Sequence, residues 1–148
     1  MAYEELRDYI KIKLEAIPSV GQVQDYYRYL KGRKNIQAEL YVNGLLDVWF
    51  IQKAGEKNAW EGPGSLLKTH IIDLIGAHGI DDANASEKTF LLTVQAVLAA
   101  FQADYTWGGL IFQTTPPVLQ KQTSQGAFVN MYCHNAVIRL QPIERISL

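Results

Sequence analysis

One cysteine, Cys133, stands among 148 residues. It excludes an intramolecular disulfide and any zinc site built on several thiolates, and it fits a reducing compartment. In this role it reads as a small buried apolar residue. Charge of one sign is also missing: 14 Lys and Arg oppose 15 Asp and Glu, for a formal charge of -1. No net field therefore draws the chain to nucleic acid or anionic lipid. No window approaches the roughly 18 consecutive apolar residues of a membrane span. The opening MAYEELRDYIKIKLE carries acids and bases throughout and lacks the apolar core of a signal peptide. A cytoplasmic place of synthesis is the expectation. Nucleophile elbow, phosphate-cradling glycine loop and dinucleotide fingerprint are all absent, which weighs against an enzyme. No internal repeat or low-complexity tract is present, and the length suits one domain over 1–148.

What is there begins with helical spacing. Leu6, Ile10, Leu14 and Ile17 predict an amphipathic surface helix from Ala2 to Ala16, stopped by Pro18 and Gly21. VGQVQDYYRYLKGRKN then reads as irregular chain or one short helical turn. From Ile36 to Lys53 the period changes to two, and Asn43-Gly44 divides the run as a tight hairpin turn. AGEKNAWEGPG is polar and broken by Gly and Pro, so an exposed mobile loop is expected around Trp60. Leu67 to Ile75 predicts an inner strand containing His70. The stretch from Thr69 to Asp104 organises the rest. In it Phe90, Val94, Val97, Leu98 and Phe101 line one face of a central helix, with Ser86 as N-cap and Glu87 complementing the dipole. No charge falls between Thr89 and Ala103, so more than one stripe of this helix is expected to be covered. DYTWGG and a strand LIFQTT follow, ended by Pro116-Pro117. QKQTSQG is expected to be a second mobile loop. Phe128 to Leu140 reads as the longest strand. In it Val129, Met131, Cys133 and Val137 face one way, and Phe128, Tyr132, Ala136, Ile138 and Leu140 the other. The order of elements predicts an α+β fold: a mostly antiparallel sheet with two main helices packed on it, a hairpin and long polar loops.

Three groups could carry chemistry. His78, Asp81 and Asp82 on a glycine-flanked loop could hold a cation or act as base and acid, but Asp and Asn are also ordinary occupants of a strand-to-helix turn. His70 and His134, both on predicted strands, could approach each other. Cys133 cannot pair with its neighbour His134, because adjacent strand residues point to opposite faces. A basic cluster of Lys31, Arg33 and Lys34 beside Tyr26, Tyr27 and Arg28 offers a single-strand nucleic-acid surface, with a solvated loop as the plainer reading.

Taken in order, IPSVGQVQDYYRY after the first helix, the WFIQK strand, TH followed by GAHGIDDANASEKTF, the DYTWGG turn, TTPP and the closing YCHNAVIRLQPIE resemble the bacteriophage or prophage tail-terminator (tail-completion) family. The likeness covers nearly the whole chain. It departs in QDYYRY, where the family more usually carries histidine. The resemblance implies a hexameric ring at the end of the tail tube that stops tube growth and faces the head connector. Partners would be further copies of the chain, the tail tube protein and the head-tail connector protein. No membrane, cofactor, metal or enzymatic activity is implied, and DNA would pass through the ring without specific binding. The place would be the virion tail, after assembly in the bacterial cytoplasm. Contacts to neighbours are expected from Arg33, Lys34, Trp60, Tyr105, Trp107, Gln120 and Lys121, with Asp81, Asp82 and Ser86 shaping the loop and helix start.

Overall fold

The computed structural model describes residues 3–26, 40–128 and 131–148, apart from the side chains of Asp82 and of residues 123–128 and 131–132. It is an α+β fold. In chain order the elements are α1 (Tyr3–Glu15), β1 (Gln22–Gln24), β2 (Tyr41–Val42), β3 (Leu45–Gly62), β4 (Ser65–Gly79), a 3-10 turn (Asp82–Asn84), α2 (Ser86–Gln102), a second 3-10 turn (Trp107–Gly109), β5 (Gln113–Thr114), β6 (Val118–Phe128), β7 (Met131–Leu140) and β8 (Pro142–Ser147). The sheet runs β1-β3-β4-β7-β6, with β2 on β3 and with β8 on β4 and β5. Among the described residues only β1 pairs in parallel, on β3.

Strand β4 is the spine of the sheet. On one side it pairs with β3 along its length. On the other it pairs first with β7 and then with β8, in one unbroken register: Ile72 faces Leu140 and Thr69 faces Ile143. Both helices pack on the same sheet face. Leu6, Ile10 and Leu14 of α1 and Phe90, Val94, Val97 and Phe101 of α2 close over Trp49, Ile51, Ile72, Leu74, Ala136, Ile138 and Leu140. Burying each large apolar side chain contributes roughly 1.5–3 kcal/mol. The close fit needs Gly76, where a Cβ would come within 2.7 Å of the Trp49 ring. The opposite face carries a smaller cluster of Leu40, Leu46, Val48, Phe50, Ala77 and Cys133.

Several expectations change. The segment after Pro18 contains strand β1, because its backbone finds a partner in Val48–Phe50. Residues 27–39, with Tyr27, Arg28, Lys31, Arg33, Lys34, Ile36 and Ala38, lie outside the described residues. Asn43 and Gly44 both adopt positive φ, 52° and 80°, and turn β2 into β3 as the Asn-Gly pair predicts. AGEKNAWEGPG is not a loop: Ala54 to Gly62 belongs to β3, and only Pro63-Gly64 turns. QKQTSQG is likewise part of β6. Polar residues can line a strand whose two faces meet solvent, since the ladder bonds come from the partner backbone. The strand expected over Phe128–Leu140 is divided between the end of β6 and β7, and the longest strand is β3, at 18 residues. LIFQTT yields only β5, Gln113–Thr114. Helix α2 leaves one face open, with Leu92 66% exposed, because the sheet covers only the Phe90–Phe101 stripe.

Candidate assembly surface

Beyond His70 the sheet extends as an arm of three strands, from β3, β4 and β8. Its tip is turned by Pro63 and Gly64, the latter at φ 76°, and tied by the Leu148 N–H donating to the Gly64 carbonyl at 2.8 Å. Trp60 stands opposite Leu66, and Leu66 opposite Ile146, so a row of apolar side chains crosses one face of the arm. Trp60 is 72% exposed. On the other face the Arg145 guanidinium lies 3.8 Å from the Phe112 ring centroid and donates to Glu61 Oε2 at 2.7 Å. A groove of about 740 Å³ opens between Gly109–Phe112 and Glu144–Ser147.

Two strand edges are open among the described residues. From Ile51 to Gly62 the outer side of β3 meets no other strand, and β6 pairs only with β7. Gln120 and Lys121 lie exposed on the β6 edge, beside the half-exposed Val118 and Leu119. Tyr105 is exposed too, its hydroxyl donating to Gln113 Oε1 at 2.8 Å. Trp107 is not a surface residue: it is 1% exposed and packed in the core. Three consecutive positive φ angles, at Trp107, Gly108 and Gly109, fold its indole inward. Trp60 and the β6 residues also lie apart. Val118 is opposite Arg139 and thus level with Asp73 of β4, seven residues and roughly 23 Å along the strand from Leu66. Leu66, Ile146, Val118, Leu119 and Leu92 went unnoticed in the sequence, because SLLKTH and PIERISL show no strict apolar–polar alternation to mark one face.

The polar residues form a separate group beneath the start of α2. His78 lies next to the end of β4, on a strand rather than a loop, opposite Asp47 on one side and His134 on the other. The two rings are 6.2 Å apart, and Phe90 stacks on His134 at 6.0 Å. Ser86 is not the N-cap. Ala85 holds that place at φ 53° without a side-chain cap, and the Ser86 hydroxyl points inward instead. Its Oγ accepts the Asp81 N–H at 2.8 Å and lies 2.9 Å from His134 Nε2. Which of the two donates is set by the His134 tautomer. The spacing is that of a nucleophile and its base, but Ser86 is 3% and His134 4% exposed, which leaves a substrate no approach. The pair acts as a latch from the helix start to β7. Asp81 shapes the turn, accepting from Asn84 Nδ2 at 2.7 Å and, through its carbonyl, from the Asn84 and Ser86 N–H groups. The Asp82 side chain lies outside the described residues. Burial raises the Asp47 carboxyl above its usual range, against the opposing pull of His78 and the Gly21 N–H.

His70 does not meet His134. It sits eight residues from His78 on β4, opposite Glu56. Cys133 lies in the cluster on the opposite sheet face, its thiol pushed up to about 11 by burial. Among the described residues, no three His, Cys, Asp or Glu side chains converge closely enough to hold a metal ion. No helix among them is long and apolar enough to cross a membrane. No protein-family model matches the chain, and comparison with curated proteins finds no match.

Proposed function

We propose that the chain is a structural virion subunit, closing as a hexameric ring on the head-proximal end of a phage tail tube to stop its growth and face the head connector. The number of copies and the place in the virion follow from the tail-terminator resemblance. The observation that carries the reading is the arm, an outward three-stranded extension with Trp60 exposed near its tip and an apolar row behind it. Aromatic residues on projecting elements are favoured anchors of protein interfaces. A ring of identical subunits needs two different complementary surfaces on each copy. The open edge of β3 and the open edge of β6 lie on opposite sides of β4 and differ in sequence. Strand pairing across them would supply main-chain hydrogen bonds between neighbours. The enclosed Ser86–His134 pair offers no substrate path, so a catalytic reading draws no support from it.

Native mass spectrometry over a range of concentrations, followed by negative-stain imaging, should find a closed ring of about six copies. If the chain stays monomeric, it should still cap purified tail tubes and end their elongation. A monomer that leaves elongation unchanged sinks the proposal. Incorporation along the tube, instead of at its end, would assign the chain to the tube or another part of the neck.

A further inference from the structure

At the root of the arm, both strands flanking β4 interrupt their pairing at nearly the same level. On β3 the register shifts between Lys53 and Gly55, leaving Ala54 as a bulge just before Glu56 faces His70. On the other side the register places Pro142 opposite His70, between Leu140 facing Ile72 and Ile143 facing Thr69. Proline has no N–H to give the ladder. Strand β4 alone passes this level without a break, and His70 is the residue it carries there.

His70 is 3% exposed, and neither ring nitrogen has a hydrogen-bond partner. Its ring stacks on Tyr3 of α1 at 6.5 Å, and its Nε2 lies 3.8 Å from Oε2 of Glu144, which is 5% exposed. That separation is too long for a hydrogen bond. The charged and titratable groups around it are Tyr3 with Arg7 over its ring, Lys53 and Glu56 from β3, Lys68 from β4 and Glu144 from β8. Glu56 is itself engaged by Lys53 and Lys68. A proton added to the imidazole therefore enters a closed site, with the Glu144 carboxylate 3.8 Å away and beyond hydrogen-bond reach.

We propose that His70 and Glu144 form a proton-operated joint between the arm and the body of the sheet, closed while the imidazole is neutral and loosened when it is charged. Burial holds the His70 pKa below its ordinary 6.5, and the attraction of Glu144 only partly offsets it. The charged ring reaches water most directly if the strands part where their pairing is already interrupted. The open form binds the proton more readily than the closed one, so opening is favoured as pH falls below 6.5 and ceases to change below the folded pKa. The inference concerns the fold alone and holds whether or not the chain builds a ring.

Hydrogen–deuterium exchange, corrected for the intrinsic pH dependence of amide exchange, tests it between pH 7.5 and pH 5. Amides of the arm, 55–62, 65–69 and 143–147, should lose protection severalfold on acidification, while those of 72–77 and 136–140 hold theirs. His70→Gln should abolish the response. Glu144→Gln should move its midpoint to lower pH, because the carboxylate no longer draws the proton onto the ring. An unchanged response in His70→Gln, parallel loss in the body, or a midpoint that stays or rises in Glu144→Gln overturns the proposal. Should His70→Gln fail to fold, NMR titration of the wild-type ring decides, with His78→Gln and His134→Gln assigning the other two histidines. A His70 midpoint at or above 6.5, or arm protection in the wild type that does not fall along with the His70 titration, overturns the joint; loss of arm protection that follows a midpoint below 6.5 upholds it.

Discussion

The Trp107 indole lies flat on the Tyr9 ring, centroids 5.3 Å apart and planes 8° from parallel. The same turn brings Asp104 to α1, where its carboxylate accepts from the Tyr9 hydroxyl and, at 2.9 Å, from Lys13 Nζ. The segment after α2 is thereby fastened to α1 by an aromatic stack, a hydroxyl hydrogen bond and an ion pair. Burial and the Asp104 bond push Tyr9 up to about 12.

Trp107→Ala should destabilise the subunit by about 3–5 kcal/mol, the usual cost of deleting a buried aromatic. Chemical denaturation followed by circular dichroism measures it. A loss below about 1 kcal/mol would mean that the indole is not a core element.

Trp60→Ala should leave the unfolding midpoint unchanged within about 0.5 kcal/mol, as expected for an exposed side chain. The same variant should assemble or cap tubes poorly. Normal assembly would remove Trp60 from the contact surface.

Asp104→Asn should cost about 1–2 kcal/mol near neutral pH, where its charge-assisted bonds are intact. Burial works to raise the Asp104 pKa, but bonds from Tyr9 and Lys13 hold it below the ordinary 3.8. A depressed carboxylate pKa gives stability present above 3.8 and lost as pH falls through the folded value. Wild type and variant should converge in denaturation curves taken in strong acid, and a constant gap would refute the assignment.

Ser86→Ala should cost about 1–3 kcal/mol, because it leaves a buried histidine nitrogen and the Asp81 N–H without their partner. A serine-directed fluorophosphonate should not label Ser86 in the native protein. Labelling would reopen the catalytic reading.

Cys133, with its thiol at about 11 and its side chain buried, should react with a disulfide reagent only as fast as the chain unfolds. Rapid modification of native protein at pH 8 would contradict the packing.

The helical parts were legible because their signal is local. Leu6, Ile10 and Leu14 are fully buried, and Phe90, Val94, Val97 and Phe101 form the covered stripe of α2, as their spacing predicts. Asn43-Gly44 turned its hairpin for an equally local reason, two residues that accept positive φ. For Trp60 the sequence leaves open a core anchor or a partner contact; the structure exposes it, on a strand rather than a loop.

Local pattern alone determined the α+β class, both helices, the first hairpin and the apolar stripes that make the core. Tertiary structure alone decided that AGEKNAWEGPG and QKQTSQG are strands, because their ladder bonds come from β4 and β7, far away in sequence. It decided the fate of Trp107 through a left-handed turn onto Tyr9, and of Ser86 through His134, 48 residues away. Helical hydrogen bonds close within four residues, whereas strand pairing and side-chain burial depend on which distant segment arrives alongside.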